Sequence, residues 1–131
     1  MTYYDKQHVS GEFEAVVEET TNALNDEGFG ILSDIDVSDA FAKKLDIQEY
    51  PEYRILGACN PPLAKEGLDA ETDLGVLLPC NVVVYETDDG VVVSMVDPET
   101  MLSVVDNPEL DDIAEDVRAR FDRVLDTLSA N

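Results

Sequence analysis

Two cysteines, each followed by an asparagine and each close to a proline, are the residues whose types and spacing point to chemistry. They lie in Leu56-Gly57-Ala58-Cys59-Asn60-Pro61-Pro62 and in Leu77-Leu78-Pro79-Cys80-Asn81-Val82. A thiolate is a nucleophile and a metal ligand, and two thiols can form a disulfide. Asparagine offers both donors and an acceptor without carrying charge. A thiol site with Cys59 as the attacking residue, a Cys59–Cys80 disulfide, and two plainly buried cysteines are the alternatives. No metal site is expected. There is no CxxC pair, and His8, the one histidine, is distant in sequence.

These segments need elements to position them. Residues 53–58 predict a short strand. Asn60 suits a helix N-cap, where its side-chain oxygen accepts from free first-turn amides. Pro61 suits the first helical position, where its missing N–H costs nothing. Cys59 is therefore expected at a junction of strand end and helix start, where helix amides favour a thiolate. Pro79 leads into a strand that begins at Cys80. The segment Val76-Leu77-Leu78 before it reads as buried.

The run Tyr53-Arg54-Ile55-Leu56-Gly57-Ala58-Cys59-Asn60-Pro61-Pro62-Leu63-Ala64, followed by Gly75-Val76-Leu77-Leu78-Pro79-Cys80-Asn81-Val82-Val83-Val84-Tyr85-Glu86, resembles the domain of unknown function 302 family. The resemblance spans about residues 2–102. It implies a small α/β fold of a kind found mostly in bacteria and archaea. It implies no catalytic residues, because the family's motif carries no known activity.

The remaining chain supplies a frame. An edge strand is expected over residues 2–9, with His8 at the sheet edge. Ser10 is a candidate cap for a helix whose stripe is Phe13, Val16, Val17, Thr20 and Leu24. Gly28 suits the position just past that helix. A strand follows over 29–36, with Gly30 as a candidate bulge. Asp36 or Ser38 then caps a short helix with an apolar face of Phe41, Ala42 and Leu45. Asp34, Asp36 and Asp39 form an acidic cluster whose spacing fits no calcium loop. Leu63, Ala64 and Leu68 should face inward from the helix after Pro61. Gly67 weakens that helix by roughly 1 kcal/mol relative to alanine. Residues 81–86 and 91–96 make a hairpin around Asp88-Asp89-Gly90. Its consecutive valines predict cover on both faces, from helices on one side and from another helix or a second subunit on the other. Met101 is a candidate pocket residue beside Met95, or flexible core filling. Asn107-Pro108 opens a long amphipathic helix over about 109–128, with Arg118, Arg120 and Arg123 toward its C-terminus.

The order of elements predicts one α+β domain over residues 1–131. A single mixed, mainly antiparallel sheet would carry helices packed on it and end in the long C-terminal helix.

Composition bounds the function. Lys+Arg number 8 against 30 Asp+Glu, a formal net charge of −22 over 131 residues. Hydrophobic residues at 44% argue for a packed core rather than disorder. Such an acidic coat reads as that of a salt-loving, haloarchaeal-type organism. In molar salt the Debye length falls to about 3 Å and carboxylate repulsion is screened. A chain without basic clusters is not expected to bind nucleic acid or an anionic membrane. The start Met1-Thr2-Tyr3-Tyr4-Asp5 shows no export signal, so reduced thiols and a cytoplasmic location are expected.

Function then reduces to three readings. The first is a non-enzymatic module binding a small ligand or a protein, with its site at Cys59, Asn60, Cys80 and Asn81. The second is a thiol-dependent redox protein using Cys59, Cys80 or both. The third is a structural homodimer. No cofactor is expected. Acid–base catalysis is disfavoured, since His8 has no evident partner and no carboxylate pair stands out.

Overall fold

The computed structural model describes residues 2–129. Five strands form one sheet: β1 Tyr4–Val9, β2 Gly30–Asp36, β3 Tyr53–Cys59, β4 Cys80–Thr87 and β5 Gly90–Val96. Their spatial order is β1-β5-β4-β3-β2, and every pairing is antiparallel. The β4–β5 hairpin is central, and the N-terminal strand is one edge, as its weak pattern predicts. The helices are α1 Phe13–Asp26, α2 Val37–Leu45, α3 Pro61–Ala70, α4 Pro98–Ser103 and α5 Asp111–Ser129. The architecture is α+β, with α1 and α5 packed side by side on one face of the sheet.

Alternation along the strands fills the core beneath those helices. Leu56 and Ala58 of β3, Val82 and Val84 of β4, and Val91, Val93 and Met95 of β5 are all buried. They meet Val16, Val17 and Leu24 of α1 and Val117, Phe121, Val124 and Leu128 of α5. These are the stripes that helical periodicity predicts. A smaller cluster of Leu74, Leu102, Leu110 and Ala114 closes one end.

Helix boundaries follow their caps, with one exception. Asp36 accepts from Asp39 N–H at 3.0 Å, Asp97 from Glu99 N–H at 3.0 Å and Asn107 from Glu109 N–H at 3.0 Å. Ser10 caps nothing. α1 begins at Phe13 behind Glu12, whose side chain makes no capping bond. Past α1, Gly28 adopts φ +88°, and Phe29 N–H reaches back to the Leu24 carbonyl at 2.9 Å. Phe29 then packs on Phe121 with ring centroids 5.0 Å apart.

Several sequence expectations are corrected. The irregularity in β2 lies between Ile31 and Ser33 rather than at Gly30. The apolar face of α2 is not buried: Leu45 is 62% exposed. Val76 stands in solvent on a 3-10 turn, Thr72–Leu77. Gly67 is a packing position, since a Cβ there would come 2.7 Å from Leu74 Cδ2. In the hairpin turn only Gly90 has a positive φ. The arginines of α5 hold carboxylates of other elements more than they answer the helix dipole. Arg118 reaches Asp5, Asp97 and Glu99 besides Asp122 on its own helix, and Arg123 reaches Glu27.

On the hairpin's second face Val92 is buried and Val83, Tyr85, Ser94 and Val96 are half-buried. Val83 and Tyr85 of β4 point there, beside Tyr53 and Ile55 of β3, Ser94 and Val96 of β5 and Lys6 of β1.

Candidate functional site

The strand ends of β3 and β4 meet where Ala58 pairs with Cys80. The chain leaves β3 through Cys59 and enters α3 at once. Asn60 is the N-cap, its side-chain oxygen accepting Leu63 N–H at 3.3 Å, and Pro61 begins the helix. Cys80 is the first residue of β4, directly behind Pro79. Both cysteine-bearing segments thus take the local geometry their residue types predict.

Their convergence lines a cavity of about 310 Å³ that is partly open to solvent. Cys59, Asn60 and Cys80 all line it. Leu63, Ala64 and Leu68 of α3 form one wall, Met101 and Leu102 of α4 another, and Ile113 and Val117 of α5 a third. Phe29 and Leu32 join it from β2 and the turn before it, and Leu74, Leu78 and Pro79 from the stretch ahead of β4. No charged residue contributes to the lining. The wall is apolar apart from two thiols and one amide, so it suits an uncharged, mainly apolar guest with a single polar group.

Asn60 is held there by tertiary contacts. It is 7% exposed and, with Thr20, one of two buried polar residues among the described residues. Its amide nitrogen lies only 2.9 Å from where a Cβ on Gly28 would stand. The glycine that ends α1 thus also makes room for the asparagine that starts α3. Arg120 clamps the same corner, donating to the Glu27 carbonyl at 2.7 Å and to Asp116 at 2.7 Å.

The two cysteines differ. Both are free thiols, so no disulfide joins them. Cys80 is buried, and burial, with a smaller contribution from nearby Cys59, pushes its thiol up to about 11. It is neutral at ordinary pH. Cys59 is half-buried on the cavity wall.

Asn81 does not join the others. It is exposed and pairs with Gly57 on the opposite face of the sheet. Neighbouring strand residues point to opposite faces, so Cys80 and Asn81 could not both face one site. That signal was present in the sequence. His8 sits exposed on the β1 edge, opposite Val92. Among the described residues no group of three or more His, Cys, Asp or Glu is placed to hold a metal ion. Of the acidic cluster, Asp34 is taken by Arg54 at 2.6 Å and Asp36 by its cap. Met101 lines the cavity, whereas Met95 lies in the core. Leu32, Ile113 and Val117 were not legible as site residues, because they come from elements that approach only in the folded chain.

The family model for a domain of unknown function, DUF302, matches residues 6–128, from β1 through α5. A crystal structure of an uncharacterized conserved DUF302 protein from Bacillus stearothermophilus is similar over 98% of this chain and 99% of that one, with 27% identity and a TM-score of 0.91. No curated protein matches the chain. No helix among the described residues is long and apolar enough to cross a membrane.

Proposed function

The chain belongs to the DUF302 family, and on that premise we propose that it is a non-enzymatic module that takes a small, uncharged, mainly apolar molecule into the cavity beside Cys59, Asn60 and Cys80. The observation that carries this reading is the chemistry of the wall. A cavity of about 310 Å³ is lined mainly by apolar side chains with no charged residue among them. Ligand sites typically run from about 300 Å³ upward and combine an apolar lining with a few polar anchors. At the roughly 30 Å³ that a water molecule occupies in the liquid, this one has room for about ten water-sized groups. The Asn60 amide is the anchor for the guest's one polar group.

A thiol-redox role draws less support. Attack requires a thiolate, and burial holds Cys80 in its neutral form. The chain has no CxxC pair to poise Cys59 as a redox partner.

The test is calorimetric titration with 1-octanol and, separately, with octanoate. The alcohol is expected to bind saturably. The anion is expected to bind at least about tenfold more weakly, because desolvating a carboxylate against a wall without cations is costly. Ala64→Phe, which fills the cavity from α3, should abolish alcohol binding while leaving the circular-dichroism spectrum unchanged. Equal affinity for alcohol and anion, or undiminished binding to the filled variant, would overturn the reading.

A further inference from the structure

The face of the sheet turned away from α1 and α5 carries no carboxylate. By strand register its side chains include Tyr4, Tyr53, Ile55, Val83, Tyr85 and Ile35. The polar positions between them are Ser33, Asn81, Thr87, Ser94 and His8, and Lys6 is the only charged strand side chain on this face. This is a five-stranded face without one acid in a chain that has 30 Asp+Glu among 131 residues. The carboxylates of the same strands, Asp5, Asp34, Asp36 and Glu86, alternate onto the other face, where Arg118 meets Asp5 and Arg54 meets Asp34.

The acid-free face is also aromatic and partly uncovered. Tyr53 and Tyr85 stack with ring centroids 5.5 Å apart and planes 11° from parallel. Tyr3 and Tyr4 make an edge contact at 5.1 Å, with Tyr3 71% exposed and Ile35 50% exposed. Between the rim tyrosines and β3 lies a hollow of about 490 Å³.

We propose that this face is the surface on which a second copy of the chain docks, sheet against sheet. Charge selects that occupant. A cationic partner would be drawn to the acid-coated remainder of the molecule, and this face withholds what it would recognise. Two copies that each carry a formal −22 have the opposite need. They can meet only where carboxylates are not brought together, because like charges across an interface cost several kcal/mol. Shape agrees. One face offers a hollow and protruding aromatic rings together, which are the two halves of a self-complementary two-fold contact. Tyrosines give large contact area at little entropic cost.

Size agrees as well. Five strands at about 4.8 Å spacing and six residues at about 3.3 Å rise give a footprint of roughly 24 by 20 Å. That is about 500 Å² per copy and about 1,000 Å² in total, the lower bound for a specific interface.

The test is molar mass by light scattering at high micromolar concentration in molar potassium chloride. The native chain is expected at twice its 14.4 kDa mass. Ile35→Glu, at an already exposed edge position, should weaken the dimer at least about tenfold with an unchanged circular-dichroism spectrum. Val83→Glu, at the centre of the face, should give monomers. A monomeric native mass in both low and molar salt would overturn the proposal. So would a dimer that survives both substitutions, or recovery of the chain in stable complex with a different protein on this face.

Discussion

Cys59 and Cys80 sit on the same cavity yet meet different environments. Cys80 is enclosed, and burial raises its thiol from an ordinary 9.0 to about 11. The folded state therefore binds this proton more tightly than the unfolded state. Its contribution to stability is full below pH 9 and is lost as pH rises toward 11. Peptide-resolved alkylation with iodoacetamide should label Cys59 in the folded protein at pH 8 and leave Cys80 unmodified until the chain unfolds. Labelling of both at the rate of an unfolded peptide would show that neither is enclosed. Residue identity made the strand end at Cys59 and the cap at Asn60 legible. The enclosure of Cys80 was not, because it depends on α4 and α5, which arrive from later in the chain.

At the scale of elements, what could be read depended on how local the cause is. Asn60, Asp97 and Asn107 each precede a proline and each cap the helix or turn that follows. The hairpin and α5 declare themselves by a turn dipeptide and a long stripe. The segment Val76-Leu77-Leu78 misleads, since an apolar run does not distinguish a buried strand from an exposed 3-10 turn. α2 is the element held most by its cap, because none of its residues is buried. Asp36→Ala should cost about 1 kcal/mol and should speed hydrogen exchange of the α2 amides. The backbone bond from Asp39 holds the Asp36 carboxyl below its usual 3.8. Its stabilising contribution is therefore present above that value and lost as pH falls through the lower folded value. The difference between native and Asp36→Ala chains should vanish in that acid range. A difference that persists there would mean that the cap acts without its charge.

Over the whole molecule, repulsion and pairing compete. Arg54, Arg118, Arg120, Arg123, Lys43 and Lys65 each hold a carboxylate. Exposed pairs contribute about 0–1 kcal/mol each and weaken in salt. Against them stands a formal excess of 22 negative charges, whose mutual repulsion also weakens in salt. The excess outnumbers the pairs, so we expect screening to stabilise the fold. The circular-dichroism melting temperature should rise from low salt to molar potassium chloride. A melt that does not move, or that moves down, would remove the view of this chain as adapted to high salt.

The sequence by itself determined the elements and their order, because periodicity, caps and turn residues act between neighbours along the chain. It also determined the acidity and the local form of both cysteine segments. Only the tertiary structure decided which of those residues share a site. Cross-strand register set Ala58 opposite Cys80 and turned Asn81 to the far face. The packing of α3, α4 and α5 over that junction built the walls of the cavity. The same register sent the carboxylates to one side of the sheet and left the other without any. Register is a long-range property: a shift of one residue would exchange the two faces, and it is specified by which face the whole core can bury.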